Sequence, residues 1–282
     1  MCDIYRDMNH SVKFLIVSVL FLILAGCSGY EKILKSNDYM LKYKVALEYY
    51  EKEDFIRAAT IFDQIAMVFR GTDQADTIYY LQAMSYFKQS DYILSGHYFR
   101  TFAKTYGGSP YAEEAEYMGA YCYYLTSPRP ELDQTNTVQA IQAFQLYMIK
   151  YPDSERKDQV QAYFNELRDK LVEKSYLSAK LYYDLSDYKA SIVALNNSLL
   201  KYPESKYREE IMFMLVKSSY MFADNSVLSK KKERFQEAID EYYSFAAEFP
   251  DSKYLKEARR YYDISARFLG DDFVENEENE EI

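Results

Sequence analysis

Residues 43–65 are YKVALEYYEKEDFIRAATIFDQI, and residues 80–102, 37 positions later, are YLQAMSYFKQSDYILSGHYFRTF. Laid over each other, they match Ala46 with Ala83, Tyr49 with Tyr86, Ala58 with Ser95, Phe62 with Phe99 and Ile65 with Phe102. A fixed period of this length marks a repeat architecture, in which each unit is one supersecondary element that cannot bury its apolar face alone. A further step of 37 gives Ala120 and Tyr123, and eight extra residues within Leu125–Thr137 then precede Ala140, Phe144, Tyr147 and Pro152. The fourth copy is Ala179, Tyr182, Ser191, Leu195, Ser198 and Pro203. The fifth is Val216, Ser219, Ala238, Tyr242, Phe245 and Pro250, with ten extra residues between its halves.

This spacing resembles the tetratricopeptide repeat over about residues 38–251. Small residues let helix A and helix B of a pair approach closely, and large ones fill the space against the next pair. Proline closes helix B because it cannot continue it. Asp153-Ser154, Glu204-Ser205, Asp251-Ser252 and, earlier, Gly107-Gly108-Ser109 place a serine where it can N-cap the next helix. The 25 residues from Ser154 to Ala179, against 11 from Ser109 to Ala120, predict that helix A of repeat four is extended by about 21 Å, to project or to brace. The expected fold is all-α: a solenoid of about five helix pairs with a capping helix over Lys253–Phe268.

Composition agrees. Of 282 residues, 28% are charged and 49% hydrophobic, which excludes disorder as the main state, and 8 Gly with 6 Pro are too few for the turns of a sandwich or barrel. A net charge of −10 excludes nucleic acid as a partner class. Residues 270–282 hold seven acidic residues and no basic one, leaving −3 for the rest, so 269–282 is expected to be a disordered acidic tail.

Phe14–Leu24 is an apolar run of 11 residues behind Lys13, too short to span a bilayer and suited to a signal-peptide core. Met8 opens a cleaner signal than Met1, since Asp3 and Asp7 fall before it. Leu24-Ala25-Gly26-Cys27 resembles the lipobox of bacterial lipoproteins. That resemblance implies a signal peptide over 1–26, a diacylglyceryl group on Cys27 with palmitate or a similar chain on its freed amine, and a lipidated linker over 27–37. Two or more acyl chains anchor a domain stably. Ser28, in place of Asp, implies sorting to the outer membrane. Of the remaining cysteines, Cys2 leaves with the signal and Cys122 stands in an aromatic run, so no disulfide framework is expected.

No enzyme motif and no cofactor site is found. His97 has no second histidine in the mature chain, which excludes a histidine-based zinc site. Glu113-Glu114 and Glu209-Glu210 lie in first helical turns, where carboxylates complement the macrodipole. The chain is expected to bind.

In tetratricopeptide domains the concave surface is lined by helix A three before, one after and four after the small residue. Here those positions are Tyr43, Leu47, Tyr50; Tyr80, Met84, Phe87; Tyr117, Tyr121, Tyr124; Tyr176, Lys180, Tyr183; and Phe213, Lys217, Tyr220. The outer positions are all aromatic, and the middle one changes from apolar to lysine in repeats four and five. Such a stripe reads equally as core or as a peptide groove; 32 Tyr and no Trp favour the groove. The two inter-helix insertions, both at A-to-B turns and so expected on the same edge, form a second candidate surface; the later one, within Phe222–Phe235, is expected as a basic loop with Lys230, Lys231, Lys232 and Arg234. Solvated charge is one reading of it; an acidic partner or lipid headgroups is the other.

The lipobox, the five repeats, Ser109-Pro110-Tyr111-Ala112-Glu113-Glu114-Ala115, and Leu167-Arg168-Asp169-Lys170-Leu171 after Tyr151-Pro152-Asp153-Ser154 together resemble the BamD family, lipoproteins of the outer-membrane β-barrel assembly machinery. The resemblance implies a periplasm-facing scaffold at the outer membrane with two kinds of partner: unfolded outer-membrane protein clients and a BamA-like barrel insertase. The basic insertion and acidic tail depart from that pattern. The competing reading is a tetratricopeptide lipoprotein that scaffolds cell-wall or cell-division proteins. A carbohydrate-capturing lipoprotein ranks third, for want of tryptophan platforms.

Overall fold

The computed structural model describes residues 29–280, with side chains as far as Gly270. The signal segment and Cys27 lie outside the described residues. Twelve helices follow one another, and no strand occurs among the described residues. Residues 29–35 form α1. Then come α2 (Tyr39–Glu51), α3 (Phe55–Ile65), α4 (Ala75–Lys88), α5 (Tyr92–Thr105), α6 (Ala112–Leu125) and α7 (Thr135–Lys150). The rest are α8 (Lys157–Asp184), α9 (Tyr188–Lys201), α10 (Arg208–Asp224), α11 (Leu228–Glu248) and α12 (Leu255–Glu280). The five expected A/B pairs are α2–α3, α4–α5, α6–α7, α8–α9 and α10–α11. The chain divides into two compact units, the first ending at Ser127 but including Gln139–Val160, the second holding Pro128–Val138 and everything from Gln161.

The small residues that defined the repeat are sealed inside the helix pairs. Ala46, Ala58, Ala83, Ser95, Ala120, Ala140, Ala179, Ser191, Val216 and Ala238 are all buried, as are the large residues Phe62, Phe99, Phe144 and Leu195. A larger side chain at any small position would overpack this seam. Where the small residue is serine, its hydroxyl is satisfied: Ser95 Oγ donates to the Ala83 carbonyl at 2.9 Å, and Ser191 shares a hydrogen bond with Ser218 at 3.0 Å. Cys122, also buried, places its thiol 3.7 Å from Ser95 Oγ, and burial pushes that thiol up to about 11.

Three of the A-to-B turns share a device that hydropathy does not show. Glu53, Ser90 and Ser186 adopt positive φ of 60°, 62° and 59°, ending α2, α4 and α8 in the left-handed conformation. The next residue is aspartate in each case, and the Asp54, Asp91 and Asp187 carboxylates accept from the amides of Arg57, Leu94 and Ala190. Backbone bonds from Asp54, Asp91 and Asp187 N–H back to Tyr49, Tyr86 and Tyr182 close the turn. Repeats three and five, whose turns carry the insertions, lack it.

Four expectations need correction. The serines at 109, 154, 205 and 252 do not cap the helices directly. Each accepts from the amide two residues on (Tyr111, Arg156, Tyr207, Tyr254), and its carbonyl accepts from the residue three on, making a leading turn before the helix starts. The supposed linker is helical over 29–35, because Tyr30, Ile33 and Leu34 have apolar surface of repeat one to cover. The later insertion is not a loop. With no Gly or Pro within 222–235, its residues lengthen α10 and α11, leaving only Asn225–Val227 between them. The capping helix does not stop at Phe268: α12 continues to Glu280, since Glu is a good helix former and Gly270 alone does not break it. The extension of repeat four is present as expected, in the 28-residue α8. It braces more than projects: Leu167 is buried, and Arg168, Asp169 and Val172 wall a cleft of about 320 Å³ against Tyr202–Ser205.

The turn device makes two opposite predictions at adjacent residues. Asp91→Ala is expected to lower stability by about 1 kcal/mol through loss of the cap. Ser90→Gly is expected to raise it, by up to about 1 kcal/mol, because glycine relieves the left-handed strain by more than its added freedom costs the folded chain. Urea denaturation of the two variants checks both signs.

Candidate functional site

The first position of each stripe triad packs a repeat junction. Tyr80 stacks on Tyr111 (4.4 Å, 12°), Tyr176 on Tyr207 (4.2 Å, 7°) and Phe213 on Tyr254 (4.5 Å, 11°). The Arg156 guanidinium lies 4.6 Å over Tyr117. Each covering residue stands two places after a linker serine, so the turn that serine holds lays the side chain back across the preceding helix A. Tyr117, Tyr176 and Phe213 are only 7–8% exposed. Tyr80 also meets Phe99 and Phe102 edge-on, and its burial raises its hydroxyl pKa above the usual value. Tyr43 contacts Phe69 at 5.8 Å. The expectation that these outer rings line a groove is therefore corrected for Tyr80, Tyr117, Tyr176 and Phe213: they belong to the junctions.

The other two positions of each triad remain half-buried. In the first unit these are Leu47, Tyr50, Met84, Phe87, Tyr121 and Tyr124, which share one face of α2, α4 and α6. Phe87 reaches Tyr92 (5.4 Å) and Tyr121 (6.2 Å), and Tyr121 stacks between Tyr117 and Tyr124 at 5.7 Å from each. The result is an apolar strip of rings and one thioether. In the second unit the corresponding residues are Lys180, Tyr183, Lys217 and Tyr220. Lys180 pairs with Asp184 at 2.9 Å, and Lys217 lies 3.4 Å from Glu257. A hydrogen bond to Tyr183, with the charge of Glu257 nearby, holds the Lys217 ammonium above its ordinary pKa.

The YfiO family, described as outer membrane lipoprotein, matches over residues 36–192 and 175–266, which together span most of the chain. The chain belongs to this family of outer membrane lipoproteins. A search among curated proteins finds no match. Membership accords with the helical-repeat fold, and the match takes in the whole aromatic strip.

Elsewhere in this YfiO-family chain the acidic pairs do more than complement helix dipoles. Glu113 accepts from Ser154 Oγ at 2.7 Å and from the Tyr147 hydroxyl at 2.9 Å, while Glu114 pairs with Arg156. Asp76 accepts from Ser109 Oγ at 2.7 Å at the preceding junction, and Glu210 accepts from the Tyr176 hydroxyl at 2.7 Å. These are clasps between successive repeats. The basic residues of the second insertion ride on the first turns of α11: Lys230 pairs with Glu233 at 2.9 Å, Lys231 with Asp224 at 3.7 Å, and Arg234 stacks 4.0 Å over Phe222. His97 is exposed beside Tyr98. Among the described residues no cluster could hold a metal ion, and no helix is long and apolar enough to cross a membrane.

The clasp at Glu113 gives a pH signature. Hydrogen bonds from Ser154 and Tyr147 outweigh burial and hold this carboxyl below its ordinary value of 4.5. A carboxyl lowered in the fold contributes stability that is full above its unfolded value and is lost as pH falls through the folded one. Glu113→Gln is thus expected to be less stable than wild type at pH 7, by about 1 kcal/mol for weakened charge-assisted bonds. The gap between the two chains is expected to narrow as pH falls from 7 to 3 and Glu113 begins to protonate. Urea midpoints at the two pH values check this.

Proposed function

We propose that the chain is a lipid-anchored scaffold of outer-membrane protein assembly, facing the periplasm. It holds unfolded β-barrel clients on the strip of the first unit and docks on a BamA-like insertase. The observation that carries this reading is the strip itself, in a chain of the outer membrane lipoprotein family. Leu47, Tyr50, Met84 and Phe87 are neither sealed into the core nor fully solvated. Barrel strands alternate apolar and polar residues and commonly end in an aromatic one. An extended client therefore presents rings at a spacing that half-buried rings can meet. Tyrosine makes such contacts with little loss of side-chain freedom.

The anchor is proposed at Cys27 after removal of residues 1–26, with acyl chains that include palmitate or a similar acid. Cys27→Ala is expected to move the folded domain from the membrane fraction to the soluble one, because two or more acyl chains provide the stable attachment. A variant that stays membrane-bound through a salt wash would overturn the anchor.

Client recognition is tested by a peptide ending in an aromatic residue, with affinity read by fluorescence anisotropy and folding by circular dichroism. Met84→Ala with Phe87→Ala is expected to weaken binding by roughly 1–3 kcal/mol. Tyr79→Ala is the control, since that ring faces Tyr106 and Met67 and not the strip. Equal affinity of wild type and the double variant overturns the strip as the client site. Partner capture through the lipidated chain that returns cell-wall or cell-division proteins, and no insertase, would favour the competing scaffold.

A further inference from the structure

The strongest feature outside the strip is the way α1 is fastened, and its consequence rests on the acylation of Cys27 proposed above. At its start, Tyr30 meets Tyr49 edge-on at 5.6 Å, and the Arg57 guanidinium lies 5.4 Å over Tyr30 and 5.6 Å over Tyr49. Arg57 is itself held by Asp54 at 2.9 Å, in the turn that joins α2 to α3. At the other end, Lys42, only 5% exposed, donates to the Leu34 carbonyl at 3.0 Å and to Gln64 Oε1 at 2.7 Å. Between the two ends, Ile33 and Leu34 pack on the core of repeat one. Thus α1 is no free tether.

Cys27 precedes Tyr30 by three residues, a reach of at most about 11 Å at ~3.3–3.6 Å per residue. Acyl chains carried there bring the α2–α3 turn to the level of the lipid headgroups. The adjoining α4–α5 turn comes with it, because Gln89 Nε2 donates to the Phe55 carbonyl at 3.1 Å. Each of these turns leads into a helix whose second residue is an isoleucine turned away from the core: Ile56 is 68% exposed and Ile93 76%. They occupy the same place in repeats one and two. Around them Glu51, Glu53, Asp54 and Asp91 offset Lys52, Arg57 and Lys88, so the edge carries no excess positive charge to select anionic lipid.

We infer that the A-to-B edge of repeats one and two is a membrane-contact surface that lies on a zwitterionic leaflet, with Ile56 and Ile93 seated among the headgroups. The acyl group then sets the orientation of the first unit as well as its location.

The test uses the full lipidated chain reconstituted in phosphatidylcholine vesicles, with nitroxide labels on Ile56→Cys, Ile93→Cys and Met67→Cys. Cys122 is buried and silent to the label. Met67 is 67% exposed just past the opposite end of α3 and serves as the aqueous control. Labels at 56 and 93 are expected to collide several-fold more with dissolved oxygen, relative to a water-soluble nickel chelate, than the label at 67. Equal, water-like accessibility at all three positions in a chain that floats with the vesicles overturns this inference and leaves the anchor standing. A lipidated preparation that does not float, or a Cys27→Ala chain that does, overturns the anchor and this inference with it.

Discussion

A helix pair of this length exposes two faces and can cover neither by itself, so the fold depends on what the next pair lays across it. Here that covering group is the ring or guanidinium two residues after each linker serine. Tyr111, Tyr207 and Tyr254 lie flat on a ring of the preceding helix A at 4.2–4.5 Å, and the Arg156 guanidinium sits 4.6 Å over Tyr117. The serine sets the turn, the turn aims the plane, and the plane seals the junction. A stacked pair contributes about 0.5–1.5 kcal/mol beyond its buried area, and the geometry recurs along the chain, so the stack also fixes register between neighbours.

The same constraint accounts for tyrosine where phenylalanine or tryptophan would stack as well. Several tyrosines in this acidic chain lie beside carboxylates, Glu113 and Glu210 in first helical turns and Asp63 in the last turn of α3, and a phenol can donate to them while its face stays packed. Tyr147 donates to Glu113, Tyr176 to Glu210 and Tyr86 to Asp63. Each bond gives a partner to a carboxylate that packing has partly removed from water. Much of the tyrosine surplus is therefore spent on junctions, and only a part of it is left for a ligand.

That division limits what could be seen from the amino-acid order. The period of 37, the small residues at Ala46, Ala83 and Ala179 and the surplus before Ala179 were legible, because close helix approach permits few side chains and helical spacing is rigid. The stripe was legible as a stripe, yet not as two populations. Tyr80 and Phe87 stand seven residues apart on one face, and what separates them is Tyr111, contributed by the next repeat from 31 residues away. The αL–Asp turns left a local signal, aspartate at 54, 91 and 187 behind Glu53, Ser90 and Ser186, but hydropathy is blind to it. The second insertion departs from the expected loop because Lys, Glu, Gln and Arg are good helix formers and lengthen α10 and α11.

The two units also differ in what they can give a ligand. In the second unit Lys180 and Lys217 already face Asp184 and Glu257, so an incoming carboxylate exchanges one partner for another and gains little. In the first unit nothing needs to be displaced from the half-buried faces of Met84 and Phe87 except water. On the reading proposed above, binding energy for an extended apolar client arises mainly on the rings of the first unit.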